Sequence, residues 1–364
     1  MHNFFFEGMK IYEMTGRKLI GWYEIHKRNL PWRETKNPYL IWVSEIILQQ
    51  TRVVQGLDYY HRFVDAFPDI FSLACANIDD VMKIWQGLGY YSRARNMHSA
   101  AKYLVNVHHG KFPATYDGLL TIKGIGDYTA SAIASLAFAQ AVPVIDGNVN
   151  RVISRLFGVQ QPVNKPSGQK EIRILAEELM VRNDPETYNQ AIMEFGAIQC
   201  VPKNPDCTGC ILQQICVAFR SGLVNMLPIK VKTTKIATRF FHYLYVRFGD
   251  LTYIHRRVVG DIWTGLYEFP LIETETETKL DDLSQTPEWH SYFNSQTPLV
   301  KNVSSEVIHR LTHRILKVRF YEIVVDQQVF GQGLIEIPAS DLHRYPVPKV
   351  IDNYLDSSRI SGEY

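Results

Sequence analysis

Four of the chain's five cysteines stand within seventeen residues, in the spacing Cys200-x6-Cys207-x2-Cys210-x5-Cys216. Thiolates are soft ligands, and four so close in sequence can close on one centre. All-cysteine ligation suits either zinc or an iron–sulfur cluster. A zinc ribbon pairs two C-x2-C knuckles, and only one is present here. The spacing also departs from the bacterial ferredoxin run. Cys75, in an apolar stretch far away, reads as a buried core thiol. Two carboxylates form the second chemical candidate. Glu45 lies within Trp42-Val43-Ser44-Glu45-Ile46-Ile47-Leu48-Gln49-Gln50-Thr51. An apolar setting raises a carboxyl pKa and suits a general acid near neutrality. Read alone, a Glu in such a run is more often a helix-cap or salt-bridge residue. Asp146 follows Val144-Ile145 and precedes Gly147-Asn148-Val149-Asn150-Arg151, so it also reads as the N-cap of the next helix. Together, an acid and a carboxylate can break a glycosidic bond. One protonates the leaving group; the other stabilises or attacks the sugar cation.

The stretch Leu119-Leu120-Thr121-Ile122-Lys123-Gly124-Ile125-Gly126-Asp127-Tyr128-Thr129-Ala130 joins two helical patterns. Gly-x-Gly permits a tight turn and leaves amide N–H groups free where the next helix starts, which suits a phosphate. By itself the dipeptide pattern is equally a plain helix–helix turn.

These residues need elements to hold them. The 364 residues predict two or three domains, at roughly 100–200 residues each. Hydrophobic residues at 46% and charged residues at 21% are ordinary globular usage and exclude a disordered or fibrous chain. With 39 basic and 37 acidic residues the net charge is only +2, so any nucleic-acid contact must come from a local basic face. Five cysteines exclude a secreted disulfide scaffold. Met1 to Lys10 has no apolar run of signal-peptide length, and Ala130 to Ile145 is too short to span a membrane, reading instead as a buried helix followed by a turn. From Thr15 to Arg220 the apolar spacing is helical, broken by prolines into some ten short helices without strands. From Phe240 onward β-branched and aromatic residues dominate, and Phe240 to Val246 and Ile315 to Val325 read as strands. Ser221 to Thr238 has a linker composition.

The order of hairpin, Asp146 and four-cysteine loop resembles the endonuclease III superfamily of DNA glycosylases. Leu30-Pro31-Trp32-Arg33, Trp42 to Thr51, Gly87-Leu88-Gly89-Tyr90-Tyr91-Ser92-Arg93, Val144 to Arg151 and the cysteine loop look like the MutY adenine DNA glycosylase family. The resemblance implies a multidomain protein. An all-α helix-hairpin-helix glycosylase domain with an iron–sulfur loop would occupy residues 1–220, with a six-helix module at about 30–136 inserted in a helical module. A linker at 221–238 would lead to an α+β Nudix-like domain at 239–364. The implied reaction removes adenine mispaired with 8-oxoguanine or guanine in double-stranded DNA, by a monomer, in the cytoplasm and at the nucleoid if the source is bacterial. Glu45 would protonate the adenine, Asp146 would stabilise the sugar cation, and Asn148 would support both. Gln50 and Tyr90 match the family's wedge positions, beside Thr51; one of Tyr90 and Tyr91 is then free to be core. Lys123, Gly124 and Gly126 would face DNA. Cys200, Cys207, Cys210 and Cys216 would hold a [4Fe–4S] cluster. Lyase relatives carry Lys where this chain has Tyr128, and a phenol cannot form a Schiff base. Tyr128 therefore implies a monofunctional enzyme. Lys123 and Asp127 depart from the hairpin's usual Pro and Arg, and Asp127 puts negative charge near the expected phosphate.

In the C-terminal region, His255-Arg256-Arg257 and Gly265 to Pro270 look like the Nudix-like domain of the same family. A metal-binding Nudix helix is expected to be missing, because Glu273, Glu275 and Glu277 alternate with Thr. Leu311-Thr312-His313 takes the place of the family's Phe-Ser-His lesion-recognition loop. Two alternatives remain at this stage: a bifunctional endonuclease III-like glycosylase/lyase, and a non-catalytic iron–sulfur DNA-binding protein.

Overall fold

The structure is a computed structural model, and it describes residues 2–231, 236–294, 296–329, 331 and 333–360. Lys232 to Lys235, part of the expected linker, lie outside the described residues. The chain divides into two compact units: Met1–Cys75 with Asn96–Lys232, and Ala76–Arg95 with Thr233–Tyr364.

Helices run in this order: α1 (His2–His26), α2 (Pro38–Leu48), α3 (Val53–Ala66), α4 (Ile70–Cys75), α5 (Ile78–Ile84), α6 (Ser92–His108), α7 (Tyr116–Leu120), α8 (Asp127–Phe138), α9 (Gly147–Phe157), α10 (Pro166–Leu179), α11 (Pro185–Glu194) and α12 (Val217–Arg220). Among the described residues no strand precedes Ala237. Local chemistry explains the boundaries that matter. Asn37 caps α2 by accepting the Tyr39 N–H at 2.9 Å, and Pro38 fills the first turn, where its missing N–H costs nothing. Ala139, in left-handed backbone at φ 52°, closes α8 before Pro143. The interior of α8 is buried on every side, and its Ala130, Ser131, Ala132, Ala134 and Ser135 are small enough for α2 to lie close. Around α9, α10 and α11 a core of Leu19, Trp22, Val152, Ile153, Ile172, Leu179, Ile192 and Phe195 closes the unit. Cys75 is not part of any core: it ends α4 exposed, because the preceding Leu73 and Ala74 take the buried face.

The residues after Arg220 do not run free. The Val163 N–H donates to the Ile229 carbonyl at 3.0 Å, Asn164 bonds both backbone groups of Val231, and Leu227 is buried.

The second unit centres on one eight-stranded sheet: β1 (Ala237–Phe248), β2 (Leu251–Arg256), β3 (Tyr267–Glu268), β4 (Leu271–Thr274), β5 (Leu299–Val303), β6 (Val307–Arg310), β7 (Arg314–Val324) and β8 (Leu334–Pro338). β1 and β7 pair in parallel through its centre, Tyr243 opposite Phe320, and the other pairs are antiparallel. Alternation sends Phe241, Tyr243, Val318 and Phe320 to one face and Leu244, Val246, Tyr321 and Ile323 to the other. Helices α13 (Leu280–Leu283), α14 (Pro287–Phe293) and α15 (Lys349–Ile360) complete the unit.

A contiguous division at residue 220 differs from the observed one, because Ala76–Arg95 packs with the sheet. Asp79 accepts hydrogen bonds from Arg256 and the Tyr267 hydroxyl, both at 2.8 Å. Gln86 bonds Asp352 at 2.7 Å and the Val347 N–H at 3.1 Å. These partners lie more than 170 residues away in sequence, so spacing could not reveal them.

Two glycines of α1 make a matched test of its packing. A Cβ on Gly16 would meet the Leu179 carbonyl at 2.4 Å, whereas one on Gly21 would meet nothing within 4 Å. Gly16→Ala is therefore expected to lower unfolding free energy by about 1–3 kcal/mol in urea titration. Gly21→Ala should leave it equal or raise it by up to about 1 kcal/mol.

Candidate active site and nucleic-acid interface

Glu45 sits on the inner face of α2 at 5% exposure, where the apolar α2–α8 contact leaves a carboxylate little solvent. Its Oε2 accepts a hydrogen bond from the Tyr128 hydroxyl, from the second position of α8. Burial pushes the Glu45 carboxyl up to about 7; the Tyr128 bond opposes the shift, the Asp146 charge adds to it, and Arg33 opposes it. The Tyr128 phenol is itself held well above its ordinary value by burial and by the Glu45 and Asp146 charges.

Asp146 is the N-cap of α9, and its Oδ1 accepts the Val149 N–H at 2.7 Å. Its Oδ2 accepts from Asn148 Nδ2, also at 2.7 Å. Burial raises this carboxyl too, against those same hydrogen bonds, which favour the charged form. The two carboxyls thus share one electrostatic environment but differ in support. Glu45 accepts a side-chain hydrogen bond from Tyr128; Asp146 is held by its helix start and an amide.

Asn148 is fixed in turn. Its Oδ1 accepts from Arg151 Nη2 at 2.9 Å, and the same guanidinium donates to the carbonyls of Gly196 at 2.6 Å and Cys200 at 2.7 Å. Arg155, one turn on and 3% exposed, donates to the carbonyls of Val201, Pro202 and Leu227 and reaches the Cys200 sulfur at 3.4 Å. A residue-type scan passes over these arginines. Two of them four apart on one helix face, beside Asn148 and Ser154, were the available signal. Arg33, part of a quoted motif but given no role, joins Arg28 on the buried Glu194 at 2.7 and 2.6 Å. Burial alone would raise Glu194, but these bonds hold its carboxyl down at about 2.

All four clustered cysteines, Cys200, Cys207, Cys210 and Cys216, line one small cavity with Arg155 and Phe219. Burial raises the Cys210 thiol to about 11 and raises Cys216, and burial with the neighbouring Cys200 and Cys216 raises Cys207. Among the described residues no three His, Cys, Asp or Glu side chains form a metal-sized group. The Leu212 N–H donates to the Cys210 sulfur at 3.4 Å.

Helices α7 and α8 with the turn between them form a helix–hairpin–helix. Gly124 stands at φ 97°, where a Cβ would press on Asn96 at 3.0 Å; Gly126 is the N-cap of α8, and a Cβ there would meet nothing. Lys123 is exposed beside them. Gln50, just after α2, is exposed at φ 59°, and Thr51 follows it half-buried. In the second unit Tyr90 is 44% exposed at φ 47°, whereas Tyr91 is buried and accepts the Gly87 N–H at 3.1 Å. Left-handed backbone is uncommon for residues other than glycine and is retained mostly where function or context requires it. Thr312 and His313 are exposed in the β6–β7 turn, and the Thr312 hydroxyl lies 2.5 Å from the Tyr90 hydroxyl. Leu311 turns inward onto the sheet core.

This fold and site define a helix-hairpin-helix base-excision protein with an appended Nudix-like domain. Residues 43–179 match the family model "HhH-GPD superfamily base excision DNA repair protein", and residues 242–357 match that of the NUDIX domain. The adenine DNA glycosylase of Buchnera aphidicola subsp. Schizaphis graminum is 34% identical over 271 residues, covering 74% of this chain and 78% of that protein. That of Mus musculus is 38% identical, covering 85% of this chain and 70% of its own length. A solved thermostable thymine-DNA glycosylase covers 59% of this chain and 98% of its own, at 27% identity and a TM-score of 0.54. An endonuclease III–DNA covalent intermediate, 17% identical with a TM-score of 0.51, covers the same shares and shares the fold. The chain belongs to the adenine DNA glycosylase family, enzymes of base-excision repair that hydrolyse N-glycosyl bonds.

The Glu45 environment makes a prediction about stability. Its folded pKa is raised from 4.5 to about 7, so the native state holds a proton that the unfolded chain releases. Its contribution is fully present below pH 4.5 and is lost as pH rises through about 7. Glu45→Gln should match the wild type near pH 4 and exceed it by about 3 kcal/mol near pH 8 in denaturant titrations.

Proposed function

We propose that this enzyme removes adenine from double-stranded DNA when it lies opposite 8-oxoguanine or guanine, acts as a monomer, and leaves an uncut abasic site. The observation that carries the reading is the raised Glu45 carboxyl beside the hydrogen-bonded Asp146. A raised carboxyl and a second one whose hydrogen bonds favour its charged form supply an acid and a charge stabiliser. The adenine first leaves the stack. Glu45 then gives its proton to a ring nitrogen of the base. The sugar–base bond breaks with its electron pair going to the departing adenine, and the Asp146 carboxylate steadies the positive sugar, aided by Asn148. Water adds to the sugar carbon and loses its proton to a carboxylate, which completes hydrolysis.

The exposed Gln50 and Tyr90 are the side chains that would fill the vacated stack, with Thr51 beside Gln50. Lys123 and the open backbone at Gly124 and Gly126 would take a DNA phosphate. Tyr128 offers no amine, which favours the monofunctional outcome. The four cysteines would hold a [4Fe–4S] cluster, whose contribution would be to shape the surrounding loop. Thr312 and His313 would meet the base opposite adenine.

Duplexes with one adenine opposite 8-oxoguanine should break at the adenine only after hot alkali. Strand breaks without alkali would contradict the monofunctional reading. Glu45→Gln should keep duplex affinity while single-turnover excision falls ~10²–10⁴-fold; wild-type excision would remove Glu45 from the reaction. His313→Ala should lower the ratio of excision rates opposite 8-oxoguanine and guanine, roughly 5–10-fold for one lost hydrogen bond. An unchanged ratio would place recognition elsewhere.

A further inference from the structure

The hairpin's Asp127 looks like a liability for a DNA-binding turn, because its carboxylate opens α8 just after Gly126 and is exposed. The structure gives that carboxylate a specific task. A single nitrogen of Arg173, Nη2, donates to both of its oxygens, at 2.7 and 2.6 Å, and the Tyr116 hydroxyl donates to Oδ1. Arg173 comes from α10, 46 residues along the chain, so the charge arrives at the hairpin from a different helix. A guanidinium has five N–H donors in a fixed fork. Asp127 engages only Nη2; among the described residues Nε and Nη1 make no hydrogen bond. Arg173 is about one-third exposed, at 34%. An arginine whose Nη2 is held by a carboxylate keeps its Nε and Nη1 N–H groups, each of which can donate a charge-assisted hydrogen bond to a phosphate oxygen.

We infer that Arg173 is a DNA-backbone contact of this enzyme, with Asp127 and Tyr116 as the positioning residues that aim it. The inference rests on the reading of the hairpin as the DNA-binding element and adds a residue to it. Lys123 and Arg173 then offset the hairpin's two carboxylates, Asp117 and Asp127. Because the pair is exposed, solvent screens it and it contributes little to stability. Substitutions here therefore leave the protein folded, which thermal melting checks.

The test is a comparison of Arg173→Gln, Asp127→Asn, the double variant and Lys123→Gln. The probes are an adenine:8-oxoguanine duplex and an undamaged duplex of the same sequence, bound at several salt concentrations. A phosphate contact carries no base information, so the loss should be equal on both duplexes. Arg173→Gln should weaken binding roughly tenfold and lower the salt slope by about one. The double variant should stay weak with the same reduced slope. A double variant with wild-type affinity and slope would overturn the inference, because Arg173 would then only neutralise Asp127. An Arg173→Gln variant with wild-type affinity would overturn it too. If Lys123→Gln weakens binding while Arg173→Gln does not, the hairpin reading survives and only this inference falls. If the wild-type protein binds neither duplex, both fall.

Discussion

A carboxyl group in an apolar helix contact is the constraint on which the rest of the site depends. Glu45 lies where α2 meets α8, among residues chosen for packing, and the enclosure shifts its proton affinity toward neutrality. Removing water from an ionisable group is costly unless the charged form finds partners. Here the partnering is partial. Tyr128 supplies one hydrogen bond, and Arg33 acts at a distance; Asp146 pushes the other way. With fuller support Glu45 would sit in the ordinary carboxylate range and be a poor acid at neutral pH. Glu194 illustrates that limit: two arginines on another buried carboxylate hold it at about 2. The same residue type thus serves as a fixed strut in one place and as a proton donor, in the proposed reaction, in another.

The supporting frame is built from buried arginines. Arg151 ties Asn148, and through it the Asp146 carboxylate, to the carbonyls of Gly196 and Cys200. Arg155 ties the same helix to the start of the cysteine loop and to Leu227. Buried guanidinium groups are tolerated because each donor finds a carbonyl, and the reward is orientation. The Asp146 carboxylate and the cysteine loop are therefore both tied to one helix, α9. Removal of either arginine would take a side-chain donor from several of these carbonyls at once.

Local motifs were legible in the sequence where a short stretch carries its own physics. The Gly124 turn, the Asp146 cap and the alternating strands β1 and β7 all follow from residues within a few positions of one another. The apolar surroundings of Glu45 were readable too, though its partner Tyr128 lies 83 residues away and only packing brings them together. The failures have the same origin. Cys75 looked buried because its neighbours are apolar, yet helix geometry turns it outward. Ala76–Arg95 belongs by sequence to a helical region and by packing to the sheet, through Asp79 and Gln86. Asp127 looked like a misplaced charge until Arg173 arrived from another helix. The left-handed backbone of Gln50 and Tyr90 leaves no mark in residue type, since neither is a glycine.

The account stands most directly on the protonation state of Glu45 before any DNA arrives. A ¹³C NMR titration of the Glu45 carboxyl in the free protein, assigned by comparison with Glu45→Gln, reads it without reference to catalysis. The expected midpoint is near 7, from the burial beside Asp146. A midpoint near the ordinary 4.5 would mean a carboxylate already ionised at neutral pH, and would contradict Glu45 as the proton donor.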